Sequence, residues 1–257
     1  MERLRNFVPL LAFAAAILMS VPCGAQPERR TPRVALVYTV TTPELKADVE
    51  RALRESVGAD VEFLVYEVPE AFNEISEAGY VVPHAAARIA ATYMQAAEDG
   101  ADAVLSICST VEDVAYAMQD VARFVGVPVV MVNDAMCREA VRRGGTVAVV
   151  ATFPCSIAPT RRTLERAARE AGCRIEVREV VIDGGFGMER GRFERLLAER
   201  IAAEASDADV VIFTQGSMAY VGGSVSRALG VPVLTNPVFS AHAVAEALAA
   251  KGLVGER

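Results

Sequence analysis

A cysteine followed by two hydroxyl residues is the pattern in this sequence best suited to chemistry. Cys108, Ser109 and Thr110 directly follow the apolar segment Ala103–Ile107. At the start of a helix, free N–H groups and the helix dipole favour the thiolate form of such a cysteine. The neighbouring hydroxyls add donors that suit a bound carboxylate. The sequence therefore predicts a reactive thiol at Cys108, the alternative being a small buried residue that closes a strand.

Strand-like apolar segments alternate with amphipathic helical stretches along the chain. The predicted strands are Val34–Tyr38, Val61–Tyr66, Ala103–Ile107, Val129–Val132, Val147–Ala151, Ile175–Val181, Val210–Phe213 and Val233–Thr235. The predicted helices are Leu45–Ser56, Ala85–Asp99, Glu112–Val125, Pro159–Ala171, Arg192–Ser206 and a last one from about Pro237. This alternation predicts an α/β fold with right-handed crossovers and parallel strands covered on both faces.

The same succession of segments occurs twice. The matching pairs are Arg33–Val37 with Thr146–Val150, Ala101–Leu105 with Ala208–Ile212, and Gly126–Val129 with Gly230–Val233. The last two pairs are offset by 107 and 104 positions, and so constant an offset indicates two copies of one unit. We predict two pseudo-symmetric lobes, each a parallel sheet flanked by helices, with an active-site cleft between them. The predicted lobe 1 comprises residues 33–132 and 237–257, and lobe 2 comprises residues 133–236.

The repeat also predicts which residues face Cys108 across the cleft. Ligands of parallel α/β sheets bind beyond the carboxyl ends of the strands. An offset of 107 positions from Cys108 leads to Gln215, which Gly216 and Ser217 follow. A glutamine cannot transfer a proton in general acid–base catalysis, but its amide can hydrogen-bond a ligand. We therefore predict that Gln215, Gly216 and Ser217 bind substrate.

In order and spacing, these segments resemble the aspartate/glutamate/hydantoin racemase superfamily over roughly residues 33–248. Val104–Thr110 is similar to the first cysteine motif of that family, and Val147–Thr152 to its central strand and threonine turn. The resemblance implies catalysis without metal or nucleotide, by two thiols on opposite faces of the carbon next to a carboxylate. It also implies that Thr152 holds that carboxylate. Gln215 stands where the family has its second cysteine, so the chain resembles a divergent member with a single motif cysteine.

Three functions are compatible with this pattern. The leading one is a cofactor-independent racemase or isomerase for an amino acid, a hydantoin or a related small acid. In it, Cys108 is the acid/base, and Ser109, Thr110, Thr152, Gln215, Gly216 and Ser217 bind the substrate. The second is a periplasmic small-carboxylate-binding protein without catalysis, and the third is a one-cysteine decarboxylase or cis–trans isomerase of the same superfamily. The sequence identifies neither the substrate nor its hand, and a homodimer is one candidate assembly.

Two threonines follow the first predicted strand. Thr41 and Thr42 lie in the place that we match with Thr152 of the second copy, so Thr41 is a candidate substrate-binding residue. The alternative is that they cap a helix ahead of Pro43.

The other cysteines are weaker candidates. Cys155, in the loop after Val147–Ala151, is a candidate second thiol, a candidate disulfide partner of Cys108, or a loop residue without a role. Cys137 and Cys173 lie in helix-like segments and are interpreted as small hydrophobic residues.

Composition excludes several classes of partner. The chain has 257 residues and a net charge of −7, and no basic stripe interleaves with aromatic residues, which argues against nucleic acid and anionic membrane surfaces. His84 and His242 lack Cys, Asp or Glu at metal-ligand spacing, so no metal site is predicted. Asp183–Gly187 is glycine-rich but lacks a dinucleotide fingerprint, and we interpret it as a mobile loop or lid.

The N-terminus predicts export. Arg3 and Arg5 precede the apolar segment Phe7–Val21, which is too short to span a bilayer, and Pro22–Ala25 ends it with small residues. Residues 1–25 are therefore predicted to be a signal peptide, which implies a periplasmic or secreted mature protein with no membrane attachment. An uncleaved anchor and a misassigned start codon in a cytoplasmic protein are the alternatives.

Expression with the full leader tests this prediction. Intact-mass measurement of the mature protein is expected to show the loss of about 25 residues, a usual signal length. A cytoplasmic protein that keeps Met1 would contradict export and would favour the misassigned start.

Overall fold

A computed structural model describes residues 30–255, so the predicted signal peptide lies outside the described residues. Eight strands are present in this range, in agreement with the eight predicted segments. They are β1 (Arg33–Tyr38), β2 (Glu62–Glu67), β3 (Ala103–Ile107), β4 (Val129–Met131), β5 (Thr146–Ala151), β6 (Glu176–Val181), β7 (Val210–Phe213) and β8 (Val233–Thr235).

Ten α-helices connect and cover the strands of the described chain. They are α1 (Pro43–Val57), α2 (Pro69–Ala78), α3 (Pro83–Glu98), α4 (Glu112–Ala117), α5 (Gln119–Val125), α6 (Asp134–Arg143), α7 (Ile157–Glu170), α8 (Arg190–Glu204), α9 (Ala219–Leu229) and α10 (Asn236–Ala250). Single 3-10 turns occupy Ser109–Val111, Pro154–Ser156 and Gly216–Met218. Within the described residues, no helix is long and apolar enough to cross a membrane.

The strands form two parallel four-stranded sheets, as the repeat predicts. Their orders are β2-β1-β3-β4 and β6-β5-β7-β8. In each sheet the chain steps outward from the first strand to the second and then returns past the first to place the third. The first and third strands of each copy are therefore central neighbours, and the topological switch point lies between their carboxyl ends.

Burial explains why these segments form central strands. The side chains of β3, β5 and β7 are almost all buried, because helices cover both sheet faces and an uninterrupted apolar segment is favoured there. The edge strand β2, in contrast, places Glu62 and Glu67 in solvent. Ala241, Val244 and Leu248 of α10 pack with the α1 side of the first sheet, so the C-terminal helix covers the first lobe.

The two copies repeat at the level of single hydrogen bonds. The buried Asp102 accepts a hydrogen bond from the backbone N–H of Arg33 at 2.9 Å, at the start of β1. Its counterpart Asp209 accepts one from the N–H of Thr146, at the start of β5, also at 2.9 Å. Each aspartate thereby fixes where the first strand of its sheet begins.

The helix predictions differ from the structure in two ways. The segment Glu112–Val125, predicted as one helix, is interrupted at Met118 and forms α4 and α5. Three helices were not predicted, namely α2, α6 and α9. Two of them begin at Pro69 and Asp134, residue types that favour a first helical turn.

Candidate active site

The register of β1 and β3 places a hydroxyl group beside the thiol of the first lobe. Tyr38 of β1 pairs with Ile107 of β3, so the next residues, Thr39 and Cys108, leave the sheet side by side. Thr39 Oγ1 donates a hydrogen bond to Cys108 Sγ at 2.6 Å, and Thr110 Oγ1 lies 2.9 Å from the same sulfur. The thiol is thus held at the switch point between two hydroxyl groups.

The second lobe has an equivalent contact, in which a glutamine takes the place of the cysteine. Val150 of β5 pairs with Phe213 of β7, which places Thr152 beside Gln215 two residues later. Gln215 Oε1 accepts from the backbone N–H of Thr152 at 3.0 Å, and Gln215 Nε2 donates to Thr152 Oγ1 at 3.1 Å. A threonine after the first strand therefore fixes the residue after the third strand in both lobes.

One cavity receives side chains from both lobes. Its polar lining includes Thr39, Thr42, Cys108, Ser109, Thr110, Thr214, Gln215, Ser217 and Asn236. The space measures about 40 Å³, which is room for about three water molecules and hence for a head group of a few heavy atoms. Cys108 and Gln215 share this cavity, so the offset of 107 positions does predict their juxtaposition.

Two asparagines join the lobes at the floor of the site. Asn133 follows β4 and Asn236 follows β8, 103 positions apart, and both are fully buried. Asn236 Nδ2 donates to Asn133 Oδ1 at 2.7 Å and to the backbone carbonyl of Thr214 at 3.1 Å. Sequence reasoning missed both residues, although the repeat offset of about 104 positions would have paired them.

The structure corrects the prediction for Thr41. Thr41 lies outside the cavity that contains Cys108, in a neighbouring depression, whereas Thr39 and Thr42 line the cavity. Thr42 also caps α1, accepting a hydrogen bond from the N–H of Leu45 at 3.1 Å. The match between Thr41 and Thr152 was wrong by two residues, because Arg33 and Thr146 are equivalent and the same offset pairs Thr39 with Thr152.

Four more predicted residues lie at or beside the site. Ser109 and Ser217 line the cavity itself. Thr152 lies behind Gln215 and opens on an adjacent pocket together with Ser217. Gly216 leaves room for its neighbours, since an added Cβ would come within 2.7 Å of Leu45 Cδ1.

The expected thiolate at Cys108 is a second correction. Burial raises the pKa of the Cys108 thiol above its usual value, against the opposing effect of hydrogen bonds from Thr110, Thr39 and the N–H of Val111. The helix contribution is small because only a 3-10 turn and the six-residue α4 follow the cysteine. Cys108 is therefore mainly a thiol at neutral pH, with hydroxyl and N–H donors positioned to stabilise the thiolate once it forms.

The remaining described cysteines are free thiols in different surroundings. Cys155 is half-buried and packs against the core cluster that contains Cys108, and burial together with the neighbouring Cys108 raises its pKa. It does not line the cavity, so its role as a second thiol stays a prediction. Cys137 is fully buried in α6, as expected, but Cys173 is exposed and follows the end of α7, which contradicts its interpretation as a small hydrophobic residue in a helix.

Glu112 is a buried carboxyl group that the sequence did not reveal. It begins the predicted helix Glu112–Val125, where acidic residues are favoured, yet it is 1% exposed. Burial raises its pKa to about 8, and the negative charges of Asp134 and Asp113 add to this effect. The hydrogen bond from the N–H of Asn133 and the positive charge of Arg166 oppose it. Glu112 Oε1 accepts from Asn133 N–H at 3.1 Å and connects α4 to the lobe interface. Only the tertiary structure shows that the first turn of α4 is buried at Glu112.

The outer wall of the cavity is aromatic. The rings of Phe72 and Phe153 meet edge to face with centroids 4.9 Å apart. Phe186, in the glycine-rich loop Asp183–Gly187, packs against Phe153 at 5.1 Å. The loop therefore contacts the aromatic wall of the cavity, and its role as a lid stays a prediction. Within the described chain, no group of three or more His, Cys, Asp and Glu side chains is arranged to hold a metal ion.

A comparison of the sequence with protein families identifies the family of this chain. A family model described as Asp/Glu/Hydantoin racemase matches residues 34–249. The chain belongs to the Asp/Glu/hydantoin racemase family. Membership in this family supports an enzyme of the racemase and epimerase kind. No curated protein sequence matches this chain.

Solved structures share this fold at low identity. Glutamate racemase RacE1 from Bacillus anthracis is 13% identical, with 89% of this chain and 85% of that chain covered and a TM-score of 0.65. Allantoin racemase from Klebsiella pneumoniae is 18% identical, covering 88% and 91%, with a TM-score of 0.57. An arylmalonate decarboxylase is 15% identical, covering 86% and 94%, with a TM-score of 0.55. At these identities the likeness concerns the fold alone.

Alkylation kinetics test the environment of Cys108. We expect its alkylation by iodoacetamide to rise about tenfold per pH unit up to a pKa above that of a free thiol, about 8.5. Thr39→Val removes a donor to the thiolate and is expected to slow the reaction about tenfold at a given pH, the effect of a charge-assisted hydrogen bond. Peptide-level mass spectrometry measures each cysteine, and the exposed Cys173 serves as the internal reference.

The matched control is Thr152→Val, which removes the equivalent hydroxyl from the other lobe. It is expected to leave the alkylation of Cys108 unchanged, because Thr152 contacts Gln215 instead. Equal effects of the two substitutions, or a Cys108 pKa below 8.5, would contradict the described environment.

The stability of the protein is expected to depend on Glu112. Its pKa is higher in the folded chain than in the unfolded one, so between pH 4.5 and 8 the folded state binds more protons and the free energy of unfolding falls as pH rises. Glu112→Gln keeps a neutral side chain and removes this loss. Relative to the variant, the wild-type Tm is expected to fall by at least about 2–4 °C from pH 5 to pH 8, the effect of about 1 kcal/mol. Glu70→Gln, the same change at an exposed first-turn glutamate of α2, is the control and is expected to keep the wild-type slope, and equal pH slopes for wild type and Glu112→Gln would refute the assignment.

Proposed function

We propose that this family member is a cofactor-independent racemase- or isomerase-like enzyme that moves a proton at the carbon next to a carboxylate or a carboxylate-derived carbonyl. The observation that carries the proposal is the position of Cys108. Among the described cysteines it alone lines the cavity, at the carboxyl end of a central strand. Its substrate is a small amino acid, hydantoin or related compound, and the N-terminal sequence favours an exported enzyme.

The proposed reaction requires only the movement of a proton. Cys108 first loses its proton to solvent water, with Thr39 donating a hydrogen bond to the resulting thiolate. The thiolate then takes the proton from the α carbon, and the electron pair of that C–H bond moves into the carbonyl system as an enolate. Returning the proton from Cys108 to carbon restores the substrate. No electron leaves the substrate and no group is transferred, so the chemistry needs no nucleotide, metal or oxidant.

Hydroxyl groups and backbone N–H groups supply the electrostatic part of the proposal. Ser109 and Thr110 begin the 3-10 turn after Cys108, and Ser217 lies in the equivalent turn of lobe 2. Donors of this kind stabilise negative charge that develops on oxygen during the reaction. Gln215 contributes a neutral amide on the opposite side, where a two-thiol racemase would need an acid.

The single thiol has a stereochemical consequence. Because Cys108 reaches only one face of the α carbon, the proposal favours removal and return of the proton on that face. Inversion needs a second donor, for which Cys155 is the candidate. A one-cysteine decarboxylase is the second candidate function, since protonation from one face suffices for it.

Exchange in heavy water tests the proposed function. Proton NMR follows the α proton of aspartate, glutamate, phenylalanine and 5-benzylhydantoin with the wild-type protein. We expect deuterium to enter at least one of them with retention of configuration. Cys108→Ala is expected to lower this exchange by about 10²-fold or more, because the general base is lost. Cys173→Ser, a change at an exposed thiol outside the cavity, is the matched control and is expected to keep the wild-type rate.

Three results would contradict the proposal. Equal exchange by Cys108→Ala and wild type would exclude Cys108 as the base. Tight binding of a probe with no exchange by the wild type would instead favour the solute-binding function. Release of carbon dioxide from a phenylmalonate without exchange on the other probes would favour the decarboxylase.

A further inference from the structure

One surface of the described chain carries four exposed hydrophobic side chains within ten residues. Val121, Phe124 and Val125 lie on α5, and Tyr116 lies on the adjoining α4. Phe124 is 93% exposed, more than any other exposed large hydrophobic residue in the described part of the chain. Large apolar side chains that cluster in water indicate an interaction site. We call these four residues the α5 patch.

The internal repeat shows that the fold does not require this surface. Helix α9 is the counterpart of α5, because the two helices end at equivalent glycines with positive φ, Gly126 and Gly230. The same offset of 104 positions places Ala228 of α9 at the position of Phe124, and Ala228 is also exposed. Lobe 2 therefore has a methyl group in solvent where lobe 1 has a phenyl ring. The ring is available for a contact outside its own lobe.

The charges beside Phe124 are complementary to those of a second copy of the chain. The side chains of Asp120 and Arg123 are 83% and 79% exposed, and Arg123 Nη2 lies 3.5 Å from Asp120 Oδ1. This is the one ion pair that either residue forms within the described chain, and a pair so exposed to water contributes little to stability. Both charges are therefore free to pair with another molecule.

A two-fold axis brings these charges together. In an antiparallel pair of α5 helices with the axis between residues 121 and 122, each Asp120 lies opposite the partner's Arg123. Phe124 of each copy then lies, along the helix axis, between the partner's Tyr116 and the partner's Val121. One helix thus supplies both halves of an interface with an apolar centre and a charged side.

The same composition argues against other partners. A nucleic acid or an anionic membrane requires a basic surface, whereas this chain has a net charge of −7 and the patch has one acid and one base beside it. An interface between identical copies has to be complementary to itself, and one charge of each sign satisfies this condition.

From these observations we propose that the α5 patch is a homodimer interface, in which the α5 helices of two copies pack antiparallel about a two-fold axis. None of the four patch residues lines the cavity that contains Cys108, so the inference does not depend on the proposed function. The patch is small beside the roughly 20–30 residues that each side of a standard interface contributes. The dimer is therefore reversible, with a Kd of about 1–100 µM.

Analytical ultracentrifugation of the mature protein over a range of concentrations tests the interface. Phe124→Ala gives α5 the residue that α9 has at the equivalent position. It is expected to raise the Kd by at least about tenfold, because central aromatic residues contribute most of the binding energy of an interface. The wild-type Tm is expected to be kept, since the ring is exposed. Val65→Ala, a change at an exposed apolar residue of β2 on the opposite edge of the sheet, is the control and is expected to keep the wild-type Kd.

Charge exchange tests the antiparallel arrangement. Asp120→Arg and Arg123→Asp each place like charges opposite one another at two symmetry-related contacts, and each is expected to raise the Kd by at least about tenfold. The double variant reverses both ion pairs and is expected to return to within about threefold of the wild-type Kd. A mixture of the two single variants is expected to form a heterodimer. Arg227→Asp, at the equivalent position of α9, is the control and is expected to have no effect.

Four outcomes would overturn this inference. A wild-type protein that is still monomeric at about 100 µM would exclude the dimer. A dimer that Phe124→Ala does not weaken would have its interface elsewhere. Single charge variants that bind as tightly as the wild type, or a double variant that fails to recover binding, would exclude the antiparallel pairing. A monomer that binds phosphatidylcholine vesicles and loses this binding with Phe124→Ala would assign the patch to a membrane surface.

Discussion

The contact between Thr39 and Cys108 is the interaction on which the site depends. It exists because β1 and β3 are parallel neighbours whose last residues are paired, so the next residue of each strand meets the other at the switch point. A shift of register by one residue would turn the thiol to the other face of the sheet and separate it from the hydroxyl. The fold therefore determines where the sulfur lies and which donor accompanies it.

The second lobe uses the same geometry for a different purpose. Thr152 holds Gln215 as Thr39 holds Cys108, but an amide replaces the thiol. In the proposed function, proton transfer and neutral hydrogen bonding are thus divided between two equivalent positions of one cavity. Asn133 and Asn236, which follow the fourth strands, are another pair of equivalent residues. Their side-chain amides contact each other across the lobes, and Asn236 Oδ1 has no hydrogen-bond partner. The two lobes share one strand arrangement and differ in the side chains at equivalent positions.

The sequence predicted features that depend on local pattern and on the repeat. All eight strands, and the shared cavity of Cys108 and Gln215, follow from apolar segments and from one offset. Thr39 could also have been predicted from the repeat, because the offset of 113 positions between Arg33 and Thr146 pairs Thr39 with Thr152. Glu112 and the pKa of Cys108 were not accessible, because both depend on burial by residues distant in the chain. A sequence that favours a helix start indicates that the partial positive charge of the helix dipole lies there. The opposing cost of removing an ionised side chain from water is known only from the tertiary structure.

A crystal structure with a bound cyclic ureide tests the central claim most directly. If Cys108 is the group that moves the proton, its Sγ should lie about 3–3.5 Å from the substituted carbon of 5-benzylhydantoin, on the face that carries the hydrogen. A ring bound with this carbon more than about 5 Å from the sulfur, or with its hydrogen directed toward Gln215, would contradict the account.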